Sequence, residues 1–244
     1  MHTGAGMLKR AVIALAALVG IAATVGLGSW QWGRAQQRNA LHDAITQRAA
    51  MPPLAAADLL RSGADLQALL HRPVTLRGEW VPERTVFLDN RQMNGVPGFY
   101  VVTPLRLQDA GAVVLVQRGW AQRNFAQRSE LPRVQTPAGP VEVQGRLAPP
   151  PAKLYAFDTE EKGTIRQNLD LDRFRAETGL SLLPLSVQQA GSPSEGLLRQ
   201  WPQPASGAAK NIGYAFQWWA IAALIAILYA WFQFIQPRRE ARRT

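Results

Sequence analysis

Residues Ala11 to Trp30 read AVIALAALVGIAATVGLGSW, and no charged side chain interrupts the chain from Ala11 through Gly33. At about 1.5 Å per residue, a helix of this length covers the roughly 30 Å hydrocarbon core of a bilayer. A second uncharged stretch, Ile212 to Ile235 (IGYAFQWWAIAALIAILYAWFQFI), lies near the other end of the 244-residue chain. It is slightly longer and leaves room for tilt. Trp30 and Trp32 mark the exit of the first span, and Tyr214, Trp218, Trp219 and Trp231 lie near the ends of the second. Such rings prefer the headgroup level. Lys9 and Arg10 precede the first span, and Arg238, Arg239, Arg242 and Arg243 follow the second. The positive-inside rule therefore places both termini in the cytoplasm and the middle outside. Arg34 and Arg38 oppose that orientation and are outweighed by the C-terminal arginines. A cleaved signal peptide shares the basic start and Ala-rich core. The run is long for one, however, and Gly28-Ser29-Trp30-Gln31 is a poor cleavage site, so a retained anchor is expected. Cleavage would leave the domain on the same side.

Between the spans the pattern changes. Residues 33–50 are polar, with Leu41, Ile45 and Ala49 at four-residue spacing, which predicts a helix continuing the first span until Pro52-Pro53 ends it. Asp58 to Leu70 predicts a further short helical stretch. From Arg72 the period becomes two: Val74, Leu76, Gly78 and Trp80 alternate with Thr75, Arg77 and Glu79. Strands are also predicted over Thr85–Arg91, Gly98–Leu107, Ala112–Trp120, Val141–Leu147 and Leu182–Gln188, with Asn94-Gly95 as a hairpin turn. Asp170 to Thr178 predicts a short helix capped by Asn168 or Asp170. Residues 191–210 are rich in Pro, Gly and Ser and read as a lead into the second span. The expected fold class is a membrane protein with two transmembrane α-helices flanking an α+β, mainly antiparallel β periplasmic domain (a sheet or a small barrel). Its divisions are a cytoplasmic N-terminus (1–10), a first transmembrane helix (11–32), a periplasmic β-rich domain (33–210), a second transmembrane helix (211–236) and a basic cytoplasmic tail (237–244). In the second half of the first span, Gly26, Gly28, Ala22 and Ala23 offer small surfaces for helix packing.

The formal net charge of +10 admits nucleic acid, anionic lipid or acidic partners. Much of that charge sits beside the apolar ends, which favours membrane lipid over nucleic acid. The absence of cysteine excludes disulfides, Cys-ligated zinc, iron–sulfur clusters and thiol chemistry. His2, His42 and His71 lie far apart in sequence, so a multi-histidine metal site is not expected. No GxSxG, HExxH, P-loop or GxGxxG context occurs. Asp158, Glu160 and Glu161 beside Lys162 read as a solvated loop, and Asp89 with Arg91 and Arg77 with Glu79 as cross-strand surface pairs. With no nucleophile–base pair, catalysis is not expected. Arginine beside tryptophan suits flat, anionic ligands, because guanidinium forks pair with carboxylates and indoles stack on rings. Trp30, Arg34, Arg118 and Trp120 form one such set. Interface anchoring of Trp30 and strand packing of Trp120 stand as the plainer reading.

The order of several motifs goes further. Gly28-Ser29-Trp30-Gln31 with Arg34 matches G-x-W-Q-x-x-R, and Arg72-Pro73-Val74 through Gly78-Glu79-Trp80 matches R-x-V-x-L-x-G-x-[FWY]. Pro97-Gly98-Phe99 with Thr103-Pro104-Leu105 matches G-x-x-x-x-T-P-L, and Val114 to Trp120 (VLVQRGW) is close to V-L-V-N-R-G-W. Asn211 to Trp218 (NIGYAFQW) is like the opening of a second span. In this order, across nearly the whole chain, these segments resemble the Surfeit locus protein family of cytochrome c oxidase assembly factors. The resemblance implies a non-catalytic role in biogenesis of an aa3-type haem–copper oxidase at the bacterial inner membrane. It implies transient handling of haem a, with oxidase subunit I, haem a synthase and membrane lipids as partners. Carried onto this sequence, the ring of haem a would meet Trp30, Trp218, Trp219 and Tyr214, with Arg34 or Arg118 on a propionate and Trp120 close to Arg118. Two positions depart from the pattern. Gln117 replaces the usual Asn, and Asn211 stands where many members carry His. Asparagine is a poor iron ligand, which argues against direct axial ligation here. The alternative is a membrane-anchored scaffold that binds protein or lipid and has no haem role.

Overall fold

The computed structural model describes residues 3–61, 65–108, 111–127, 130–152, 154, 163–202 and 206–240. The chain divides into two compact units, one of residues 1–44 with 204–244 and the other of residues 45–203. The Asp158, Glu160 and Glu161 cluster with Lys162, and also His2, Arg242 and Arg243, lie outside the described residues.

Helix α1 runs from Thr3 to Ala49, so the apolar span and the polar stripe after it form one continuous helix, as expected. Pro52 and Pro53 follow its end, where missing amide donors and fixed φ stop helical bonding. Helix α4 spans Ala208–Ala230 and continues through a π-helical turn, Trp231–Ile235, into the short α5, Gln236–Glu240. Both long helices are apolar enough to cross a bilayer, and only 11% and 6% of their most apolar windows are buried within the chain. A core helix of a soluble domain would be mostly covered, so these surfaces call for lipid or another apolar partner. Arg239 lies 5.0 Å from the Trp231 ring centroid, a cation–π contact of the kind that suits a membrane edge.

In the other unit, α2 (Ala56–Leu60) precedes β1 (Pro73–Trp80). A 3-10 turn at Pro82–Arg84 leads into β2 (Val86–Met93), β3 (Val96–Leu107), β4 (Val113–Gln122), β5 (Pro140–Ala148) and β6 (Ile165–Arg166). Helix α3 (Leu171–Thr178) and β7 (Leu182–Gln189) complete it. The strand order is β1-β5-β7-β4-β3-β2-β6, and β1 also pairs with β3, so β1, β5, β7, β4 and β3 close into a ring. Closure depends on the length of β3. Its first part pairs with β2 (Val86↔Val102), while its end pairs with β1 (Gly78↔Leu107, Trp80↔Leu105). A Cβ on Gly78 would overlap the Arg106 carbonyl, so glycine is what lets β1 cross β3 this closely. The sheet is mixed: β4 and β7 run parallel, as do β2 and β6, and the other ladders are antiparallel. β7 arrives after a long connection carrying α3, which is the kind of crossover a parallel neighbour requires.

The alternation read from β1 is the barrel's lining. Val74, Leu76 and Trp80 are buried with Leu105, Val114, Val116, Val143, Leu147, Leu185 and Val187. A second cluster joins Leu88, Val102 and Leu115 to Phe174 of α3. Asp170 caps α3, its carboxylate accepting from the Asp172 and Arg173 amides, and Gly179 closes it in the left-handed region. The Asn94-Gly95 hairpin forms with φ of 52° and 79°, as a primed turn demands. The two expected surface pairs do not form. Arg77 bonds Glu142 on the neighbouring β5 instead of Glu79, and Asp89 takes Arg123 instead of Arg91. Arg91 is buried and donates to the Ala152 and Gln167 carbonyls. Residues two apart on one strand point the same way, but real partners sit across the ladder.

Candidate functional site

The membrane-type unit is held by a seam of small and polar residues. Thr24, Gly28 and Ala35 are buried on α1, and Ala208, Ala215 and Ala222 on α4, recurring at helical spacing. A Cβ on Gly28 would overlap the Trp219 indole, and one on Gly20 would touch Ile225 at 3.4 Å. Of the small residues singled out earlier, Gly28 faces the partner helix, whereas Gly26 has nothing within 4 Å and Ala22 and Ala23 are exposed.

Within this seam the Asn211 side-chain amide donates to Gln31 Oε1 at 2.6 Å. In an apolar surrounding such a bond is worth about 0.6–2 kcal/mol to helix pairing. Beside it Trp32, Phe216 and Trp219 make a three-ring cluster, with centroid separations of 5.7–6.4 Å. Trp30 and Arg34, one helical turn apart, present an exposed cation–π pair at 5.9 Å, with Trp30 58% accessible. Tyr214 is exposed and Trp218 partly so on α4. Arg38 donates to the carbonyl of Gly207, which caps the start of α4. This end of the helix pair therefore offers flat apolar faces, an exposed guanidinium beside an indole and an amide pair.

Arg118 and Trp120 belong to the sheet unit and are buried within it. The Arg118 side chain is 0% exposed. It donates to Thr136 Oγ1 and the Gln135 carbonyl at 2.7 Å and to Glu195 Oε2 at 3.0 Å, and lies 4.8 Å over the Trp80 ring. Arg199 completes the knot, bonding Glu195, Ser192, Ser194 and the Arg118 carbonyl. Trp120 is buried with its indole nitrogen donating to the Arg91 carbonyl at 2.8 Å, and it packs on Gly98, where a Cβ would strike the ring. These two residues hold the barrel wall to the loop after β7; the set Trp30, Arg34, Arg118, Trp120 is split between the two units. Sequence reasoning missed Gln31, Glu195 and Arg199. Glu195 sits at φ 61° in a stretch read as linker, and nothing local marks it as the partner of Arg118.

For a haem-like ligand the fit is partial. The exposed rings and Arg34 suit a flat apolar body with carboxylate arms. The iron has no matching ligand among the described residues of this cluster. Asn211 is engaged by Gln31, His42 lies further along α1 beyond Gln31, and His71 is in the other unit.

The SURF1 family profile matches residues 18–223. A SURF1-like protein of Drosophila melanogaster is 26% identical over 89% of this chain and 75% of its own length. A SURF1-like protein of Rickettsia bellii (strain RML369-C) is 25% identical over 88% of both chains. Surfeit locus protein 1 of Rattus norvegicus is 25% identical over 91% of this chain and 74% of its own length. The profile covers most of α1, the closed sheet and most of α4, and the chain belongs to the SURF1 family.

Proposed function

We propose that this protein assists biogenesis of an aa3-type haem–copper cytochrome c oxidase, handling haem a on its way into subunit I without catalysing a reaction itself. The observation that carries this reading is family membership across both apolar helices and the sheet domain. The helix-pair end supplies the chemistry: Trp30, Tyr214 and Trp218 offer faces to a porphyrin, and Arg34 a bidentate partner for a propionate. Arg118 and Trp120 support the fold of the sheet domain. Asn211 stabilises the helix pair through Gln31 and leaves iron ligation to another protein, for which subunit I or haem a synthase are the natural partners. The same reading puts the sheet domain on the periplasmic side of a bacterial inner membrane with both termini cytoplasmic, supported by Lys9 and Arg10 before α1 and the arginines after α4.

The test is a reduced-minus-oxidised spectrum of membranes from a strain lacking the gene, with oxidase activity measured alongside. The expected result is a selective loss of the haem a band and of activity, with b- and c-type cytochromes retained. Complementation with Trp30→Ala plus Arg34→Gln should restore protein level but not the band. Full restoration by that variant would place the haem-handling surface elsewhere, and an unchanged spectrum in a strain free of paralogues would overturn the reading.

A further inference from the structure

The sheet unit holds a second feature with ligand chemistry, independent of the function just proposed. Between the ends of β1, β5 and β7 lies a cavity of about 360 Å³ bordered by His71, Arg146, Gln188, Arg199, Gln200 and Trp201. None of the residues lining it is acidic. Arg146, half-buried on β5, donates its Nε to Gln188 Oε1 at 2.8 Å across the ladder. Its two terminal nitrogens have no partner among the described residues and are not sealed off. Burial lowers the pKa of Arg146, and burial together with Arg118 lowers that of Arg199 against the opposing pull of Glu195, as expected for cations short of counter-charge. Arg146 and Arg199 border the cavity. Arg199 shares the Glu195 carboxylate with Arg118, whereas no carboxylate among the described residues bonds Arg146, and Arg48 adds positive charge near His71. Trp201 is pinned by its indole donating to the Gln189 carbonyl and forms an apolar wall.

We propose that this cavity binds a phosphate monoester group, with the Arg146 fork as its main anchor and His71 as an added donor. The positive charge of Arg146, uncompensated by any carboxylate among the described residues, suits a group carrying about −1.5 to −2 at neutral pH, and its unused terminal nitrogens fit the oxygens of that group in bidentate fashion. The group has two sources of the same chemistry, a soluble phosphate ester or the headgroup of phosphatidic acid.

The full chain in phosphatidylcholine nanodiscs, titrated calorimetrically with inorganic phosphate, tests this. Saturable binding is expected, weakened about tenfold or more by Arg146→Gln. Arg146→Lys keeps the charge and loses the fork, so it should fall between the two and serves if the glutamine variant unfolds. Arg77→Gln, whose parent guanidinium is already bonded to Glu142, should bind as the wild type does. Discs doped with phosphatidic acid separate the sources: suppressed phosphate binding identifies the lipid, and unchanged binding a soluble ester. No saturable heat in the undoped discs, or equal weakening by Arg77→Gln and Arg146→Gln, would overturn the proposal.

Discussion

Glu195→Gln tests the charge arithmetic inside the sheet domain. Glu195 is 17% exposed at its side chain and bonds Arg118 and Arg199, which are 0% and 4% exposed. Neutralising it leaves two buried guanidiniums with no carboxylate between them, while the backbone and side-chain length are kept. Removing one member of a buried ion pair costs about 3–5 kcal/mol. For a unit of this size that corresponds to a fall in melting temperature of roughly 6–20 °C. The diagnostic part is the combination with Arg118→Met. Alone, Arg118→Met leaves Glu195 paired with Arg199 and loses the bonds to Thr136 and Gln135 and the contact with Trp80. In the Glu195→Gln background the same change removes an uncompensated buried charge, so it should cost much less or restore stability. Thermal unfolding of the full chain in detergent, followed by near-UV circular dichroism, measures all four corners of the cycle. Additivity within about 0.5 kcal/mol would refute the reasoning, since it would mean that the charges do not act as one knot.

The other predictions concern both units. Because the chain has no native cysteine, Gly20→Cys with Ile225→Cys reports helix pairing cleanly by oxidative cross-linking. Adding Gly28→Leu should cut the cross-linked fraction severalfold, and Trp219→Ala on top should recover much of it; unchanged cross-linking would deny the seam. The pKa of His71 is lowered in the folded state by burial and then by Arg146 and Arg48. The unfolded chain therefore binds the proton more readily, so stability falls as pH drops from about 6.5 towards the folded-state value. His71→Asn should flatten that slope in denaturant titrations between pH 7 and pH 5, and asparagine tolerates the 72° φ at this position. Gly98→Ala should lower thermal stability markedly, because its Cβ meets both the Trp120 ring and the Ala121 carbonyl.

Legibility in the sequence tracked how local each cause is. The apolar runs, the Pro52-Pro53 stop, the Val74–Leu76–Trp80 alternation, the Asn94-Gly95 turn and the Asp170 cap depend on neighbours within a few residues, and all appear in the structure. Ring closure depends on β3 changing partners along its length, and the parallel β4–β7 ladder joins residues about seventy apart in sequence. No short-range pattern encodes either. Arg118 illustrates the same limit at a single residue. An arginine beside a tryptophan reads as a ligand hand because arginine is usually solvated. Its burial is set by Glu195, 77 positions away in a stretch that looks like a linker. That stretch is structural: Leu197 is buried, and Leu198 exchanges backbone bonds with Trp120.

The motif residues therefore differ in what they can say about function. Gly78, Gly98, Arg118, Gly119 and Trp120 are fixed by close approach or burial, so matching them certifies the fold of the sheet domain and little more. The informative position is Asn211, where the family resemblance leads one to expect histidine and where the side chain meets Gln31 beside three aromatic rings. A histidine there has two distinct nitrogens. One N–H can replace the asparagine amide as donor to Gln31 Oε1, which leaves the other nitrogen free as an iron ligand. If the helix-pair end handles haem a, Asn211→His should convert weak contact into axial ligation. The variant purified from a haem a-producing host should carry a Soret band of a histidine-ligated iron. Asn211→Gln, which keeps an amide, should carry no more haem than the parent. Equal haem content in all three would show that this end of the helix pair does not meet haem, and would move the search to a partner protein.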